Sequence, residues 1–341
     1  MRFGLFGGVA RGKGEVGDCE AYSRFIDYVV EAEQLGFASV FLVEHHFTGG
    51  GQLSASLSLL SHLAGLTSTM RLGTAVTVMP WHHPLLLAEQ AATVDILSGG
   101  RLDFGVGRGY RANEFHGFRV DPAEAQARFE EALELVIRSW RSAERFSHRG
   151  RFWSFDDVIV EPRPAQRDPH PPIWVAAGSE GSVRQAARTG QRLLLDQFGS
   201  TETTARRVAW YRDTQAQANA ASAAGQIALT RGLLLVNHES KVAGEVARRH
   251  AAVAQLASSA QIPGQAPPAT PSGPFALDTS DEATLQATVV GTPDACIARL
   301  KDLEAAGVDY VLLNDPWGGA ERLRFFAREV MPAFNPMSVA A

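Results

Sequence analysis

Residues 41–51 read FLVEHHFTGGG: an apolar run ends in a carboxylate and two adjacent imidazoles, and the chain then turns to glycine. Glu44, His45 and His46 offer two kinds of chemistry. One is metal ligation. The other is proton transfer near neutral pH, where an imidazole with an ordinary pKa of about 6.5 changes charge. Side chains alternate across a strand, so Val43 and His45 share one face while Glu44 and His46 share the other. Two imidazoles on opposite faces do not converge on one small ion. The chain also carries neither an H-E-x-x-H nor an H-x-H pair, and no metal site is expected. What remains is a histidine at a strand end that either bonds its neighbours or handles a proton.

Two further segments suit an anion. GVGRGYRANEF (105–115) follows an apolar run, and Arg108 brings a permanent positive charge to a strand end. AAGSEGS (176–182) follows another, where Ser179, Ser182 and the free N–H groups of a starting helix make an anion site or, more plainly, a helix cap. On neighbouring strands these loops would offer one arginine, two hydroxyls and a helix N-terminus, a set that suits a phosphate monoester. GGVARGKG (7–14) nearly matches a phosphate-binding P-loop, but Gly14 stands where Ser or Thr should hold magnesium and no helix begins there. It reads as a first strand–helix loop.

The elements that must position these groups alternate in type. Apolar strand runs at 2–6, 39–43, 71–79, 101–107, 171–178, 191–197, 228–236 and 309–315 are separated by segments of helical periodicity. About eight strand–helix units imply a parallel sheet and favour a closed (β/α)₈ barrel over an open, doubly wound sheet. Active sites of such barrels sit at the C-terminal strand ends, where EHHF falls. A single barrel domain over 1–341 is expected, with a strand-rich insertion at about 148–164. The Pro-, Gly-, Ser- and Thr-rich segment 260–281 reads as a mobile loop.

The 341 residues are 45% hydrophobic and 20% charged, with a net charge of −5. That balance gives no electrostatic reason to expect nucleic acid or anionic membrane as a partner. Cys19 and Cys296 read as reduced thiols. The start MRFGLFGG lacks the apolar core of a signal peptide, and no run is long enough to span a bilayer, so a cytoplasmic protein is expected.

With EHHF, GTAVTVMP, GRLDFGVGRG, AAGSEGS and VGTPDACIARL in this order, the chain resembles the bacterial luciferase-like flavin monooxygenase family from MRFGLF to EVMP, and LVEHHFT is close to the luciferase α subunit. The resemblance implies a (β/α)₈ barrel with insertions and FMN bound at its C-terminal mouth. Arg108, Ser179 and Ser182 would hold the phosphate, helped by backbone near Gly178, and a non-proline cis peptide at Ala75–Val76 would lie under the flavin ring. His45 would be the acid–base group, with Glu44 and His46 fixing the strand end. Trp81, His82 and Tyr110 are candidates for the substrate pocket, or else rim packing. Reduced FMN from a separate flavin reductase would react with dioxygen and oxygenate a small organic substrate through a flavin hydroperoxide, with 260–281 as a lid. Gly107 and Gly178 stand where the luciferase α subunit has a cysteine and a glutamate, which argues against light emission. A homodimer is expected. The alternatives are a deazaflavin-dependent hydride-transfer enzyme of the same superfamily, a metal-dependent barrel hydrolase, and a non-enzymatic flavin-binding protein.

Overall fold

The computed structural model describes residues 1–9, 16–49, 52–218, 226–265, 280–315 and 319–334. In chain order the elements are β1 (Arg2–Gly7), α1 (Asp18–Gln34), β2 (Ser39–Leu42), α2 (Ser56–Leu66), β3 (Arg71–Thr74), β4 (Thr77–Val78), α3 (Pro84–Leu97), β5 (Leu102–Gly107), α4 (Ala112–Phe118), α5 (Ala125–Arg141), β6 (Phe146–Arg149) and β7 (Ser154–Val158). Then follow β8 (Ile173–Ala176), α6 (Glu180–Arg188), β9 (Arg192–Leu195), α7 (Thr201–Gln217), β10 (Ile227–Leu235), α8 (Val242–Ser259), α9 (Asp281–Gln286), β11 (Thr288–Gly291), α10 (Pro293–Ala305), β12 (Tyr310–Asn314) and α11 (Gly319–Glu329).

Parallel pairing runs β1–β2–β3–β5–β8–β9–β10–β12 and returns from β12 to β1. The ring is therefore closed, and the fold is the (β/α)₈ barrel rather than an open sheet. Closure removes the unpaired edges that an open parallel sheet would leave. Two strands differ from the sequence expectation. The run 71–79 is not one strand: it divides into β3 and β4 at a cis Ala75–Val76 peptide, and β4 pairs separately with β5. A further parallel strand, β11, was not expected. It pairs with the upper part of β10, Gly232 to Leu235, while β12 pairs with Ala228 to Gly232, so the two stretches meet at Gly232. Four residues between a proline-rich segment and a helix carry too little periodicity to be read as a strand.

Period-2 alternation sends one set of side chains inward and the other under the helices. The inner set, Phe41, Trp174, Leu194, Ala228, Tyr310 and Leu312, fills the barrel with aromatic edges packed on one another. Two wall glycines make this packing possible. A Cβ at Gly73 would lie 2.5 Å from the Phe41 ring, and one at Gly105 would lie 1.7 Å from the Thr74 carbonyl oxygen. The N-terminal end is closed by polar groups, with Asp103 bound to Arg71 at 2.6 Å and facing Arg192 at 3.6 Å.

β6 and β7 form an antiparallel hairpin. It is pinned to α5 by Glu131, whose carboxylate accepts from the N–H groups of Arg151, Phe152 and Trp153. Most of the segment expected to act as a lid, residues 266–279, lies outside the described residues, as do residues 10–15 of the P-loop-like stretch. Among the described residues, no helix is long and apolar enough to cross a membrane.

Candidate active site

The floor of the barrel mouth is set by Phe6, Ala75 and Val76, which pack on the inner cluster from above and remain partly open. Ala176, inward-facing at the end of β8, is exposed, so the mouth is hollow on that side.

Beyond β2 the chain does what alternation requires. His45 and His46 diverge, each to its own buried carboxylate. His45 Nδ1 lies 3.2 Å from Glu114 Oε1, and the same oxygen accepts from the His46 backbone N–H at 3.0 Å. On the other side, Glu44 Oε1 bonds His46 Nε2 and His82 Nε2, both at 2.9 Å, while Oε2 accepts from the Val78 N–H at 3.1 Å. Glu44 is 2% exposed. Burial pushes its carboxyl upward, but bonds from His46, His82 and Val78 and the charge of His82 outweigh that, and the net direction is down. The carboxylate is thus held ionised as a clamp joining the end of β2 to the connection after β4. Among the described residues no His, Cys, Asp or Glu cluster is arranged to hold a metal ion.

The His45 ring is 16% exposed. Burial lowers its pKa below the ordinary 6.5. The Glu114 bond opposes this, the Arg111 charge adds to it, and the net direction is down. A neutral imidazole at pH 7 follows, oriented by a carboxylate. Glu114 comes from α4, within GVGRGYRANEF, which the sequence reading took as loop. Its ion pair with Arg111, 4.0 Å away at i,i+3, was the available helical signal. Arg111 is fully buried and donates to Gln52 Oε1 at 3.2 Å.

Arg108 and Ser179 lie on one rim. Val106 pairs with Val175, so Arg108 and Ser179 leave neighbouring parallel strands at the same end. Arg108 is exposed and makes no hydrogen bond or ion pair among the described residues. Ser179 caps α6, accepting from the Ser182 N–H at 3.4 Å, and the two hydroxyls lie 2.8 Å apart. The next unit repeats the device: Gly199 and Ser200 precede α7, and Ser200 accepts from the Thr203 N–H at 3.2 Å.

Behind both helix starts lies Arg207, which the sequence reading missed. Its Nε donates to the Gly178 carbonyl at 2.9 Å and its Nη1 to Asp196 Oδ2 at 2.8 Å. A Cβ at Gly178 would sit 3.0 Å from Nη2, and one at Gly199 3.1 Å from Nη1. Arg231, fully buried and with its pKa pushed down to about 10 by burial, donates to the Gly199 carbonyl at 2.8 Å and the Asp196 carbonyl at 3.2 Å. It remains a cation at neutral pH. Arg207 binds the Asp196 carboxylate while Arg231 bonds only carbonyls and the Thr204 hydroxyl, so two buried cations face one carboxylate and positive charge is left behind two helix N-termini.

Of the substrate-pocket candidates, Trp81 belongs to an aromatic wall. It stacks on Phe118 at 5.1 Å and meets Phe115 edge-on at 4.7 Å. His82 is tied to Glu44. Tyr110 is half-buried, and burial pushes its hydroxyl pKa up, against the opposing charge of Arg111, so it stays protonated near neutral pH.

Comparison with known proteins places the chain in a family. The family model of luciferase-like monooxygenases matches residues 1–310. The crystal structure of monooxygenase RslO1 from Streptomyces bottropensis superposes with a TM-score of 0.85 at 30% identity, covering 98% of this chain and 100% of that one. The oxygenase component of a flavin-dependent trigonelline monooxygenase from Acinetobacter baylyi is 33% identical over 192 residues, 56% of this chain and 52% of that protein. An F420-dependent glucose-6-phosphate dehydrogenase from Beutenbergia cavernae is 37% identical over 174 residues, 49% of this chain and 50% of that protein. The matched segments span about half the length of these two curated relatives. With the family matched along nearly its whole length and the barrel closed as that family requires, the chain belongs to the luciferase-like monooxygenases and is an oxidoreductase of that family.

Proposed function

We propose that the chain is the oxygenase component of a two-component, FMN-dependent monooxygenase, which takes reduced FMN from a separate flavin reductase and uses dioxygen to oxygenate a small organic substrate. The observation that carries this reading is the convergence on one rim of a neutral, carboxylate-oriented histidine and an unpaired arginine beside a serine-capped helix start. The donor set fits a phosphorylated flavin. Arg108, Ser179, Ser182 and the backbone at Gly178 would hold the phosphate, with Arg207 and Arg231 supplying positive charge behind them. Ala75 and Val76 would lie beneath the ring.

When bound, reduced FMN supplies the electrons for dioxygen chemistry. The protein's part is proton handling and exclusion of water. His45, neutral at pH 7, takes or returns a proton at its Nε2 while Glu114 holds Nδ1. Trp81 and Tyr110 line the substrate side, and His82, through Glu44, holds the rim. The wall of Trp81, Phe115 and Phe118 keeps water from the reacting centre.

Relatives named as F420-dependent dehydrogenases favour a second reading, hydride transfer to or from a deazaflavin on the same histidine. Anaerobic titration with reduced FMN and, separately, reduced F420, followed by admission of air, tests both. The expected result is saturable binding of reduced FMN with oxygen consumed on mixing. Binding of F420 alone, with no oxygen uptake, overturns the oxygenase reading.

We also propose a homodimer built on α2 and α3. Their outward face carries Leu66, Leu86, Gln90, Thr93, Ile96 and Leu97, all exposed and none charged, and Leu86 and Leu97 are 53% and 57% exposed. A face that meets its own copy across a two-fold axis avoids like-charge contacts if it is neutral. Sedimentation should give about twice the chain mass of 36.7 kDa. Leu86→Glu combined with Leu97→Glu should give monomers. A wild-type monomer would rule the interface out.

A further inference from the structure

Above β10 and β12 the mouth holds a further buried cation, which the phosphate site does not use. Arg249, on α8, is 6% exposed. Its guanidinium crosses above β10 at Gly232, where an added Cβ would meet Nε at 3.2 Å. Ala228 belongs to the inner cluster, so Gly232, four residues on, shares the inward face, and Arg249 therefore lies over the barrel interior. Its Nη2 donates to Gln197 Oε1, the oxygen that also accepts from Asn314 Nδ2 at 3.0 Å. Tyr310 and Leu312 face inward, so Asn314 does too. Gln197 thus spans the rim from the end of β9 to the end of β12.

Burial lowers the Arg249 pKa to about 10, leaving it charged at neutral pH. Its one hydrogen-bond partner among the described residues is a neutral amide. The Asp315 carboxylate offsets part of the guanidinium charge through space but is in direct contact with Arg322, at 2.9 Å, and not with Arg249. A desolvated guanidinium without an ion-pair partner is costly to keep unless something anionic arrives. The cavity beside it, lined by Gln197, Phe198, Val253 and Thr284, is only about 10 Å³, room for one water, so an anion would meet the guanidinium from the mouth. In the ring order β2 carries His45 and β5 and β8 carry the phosphate-holding residues, so Arg249 occupies a separate sector.

We infer that Arg249, with Gln197 and Asn314, receives an anionic headgroup of the organic substrate, a carboxylate, and so turns the rest of that molecule toward His45. This rests on the oxygenase reading for what the substrate undergoes, but not for the binding itself. It makes Arg249 a specificity-determining residue rather than a cofactor ligand.

The test is calorimetric titration of the full chain, with and without FMN, using benzoate, inorganic phosphate and the neutral isostere benzamide, on wild type, Arg249→Lys and Arg249→Met. Benzoate should bind wild type more tightly than benzamide does. Arg249→Met should weaken benzoate by about tenfold or more, Arg249→Lys by less, and FMN affinity should move by less than about twofold. Stronger binding of phosphate than of benzoate, lost in the same variants, supports an anion site but overturns the carboxylate assignment. Equal binding of benzoate and benzamide, or benzoate binding untouched by either substitution, overturns the inference. A wild-type chain that binds benzoate through Arg249 but not FMN overturns the oxygenase reading alone.

Discussion

Replacing His45 with Ala lowers the rate of product formation by about 10²–10⁴-fold, the range expected for loss of a positioned acid–base group, while the Kd for FMN changes by less than about threefold. The asymmetry follows from the geometry: His45 follows β2 and bonds Glu114, whereas the phosphate-holding groups follow β5 and β8. Single-turnover kinetics beside a flavin titration separates the two quantities, and an equal loss in both would remove His45 from the chemistry. The pH profile carries a companion expectation. Because the His45 pKa lies below the ordinary 6.5, its neutral form persists below that pH, and activity falls only as pH drops through the depressed value. Glu114 raises that value, so Glu114→Gln moves the acidic limb to lower pH, and Arg111, left without its carboxylate, pushes the same way. A limb that stays in place would disconnect Glu114 from the proton.

Replacing Arg108 with Ala weakens FMN by about 10–100-fold and leaves riboflavin, which lacks the phosphate, within about twofold. The arginine is exposed and unpaired among the described residues, so its removal strands no buried partner and the fold should be unaffected. What is lost is one charge-assisted contact at the rim. Fluorescence titration with the two flavins reads the difference directly. Unchanged FMN affinity, or equal loss of both flavins, would contradict a phosphate contact.

How much of this was legible before the structure depends on how local each feature is. Alternating strand and helix periods announced the barrel because each run is self-contained. The same rule of alternation sent His45 and His46 to opposite sides, and it placed Arg108 and Ser179 at strand ends. What could not be read were partners supplied from a distance. Glu114 lies 69 residues from His45, on a seven-residue helix within a glycine-rich run. Arg207 and Arg249 sit on α7 and α8 and reach across glycines, and nothing in a helical period says where a long side chain ends. β11 was missed because four residues alongside the top of β10 make sense only as a partner to that strand.

The guanidinium wedged between Gly178 and Gly199 makes two consecutive loops a single mechanical part. Swapping 177–182 alone from a relative would leave Arg207 braced against a backbone it no longer matches. A graft meant to change cofactor preference must therefore carry 196–207 with it, and diversification of this side of the mouth should proceed by exchanging the pair.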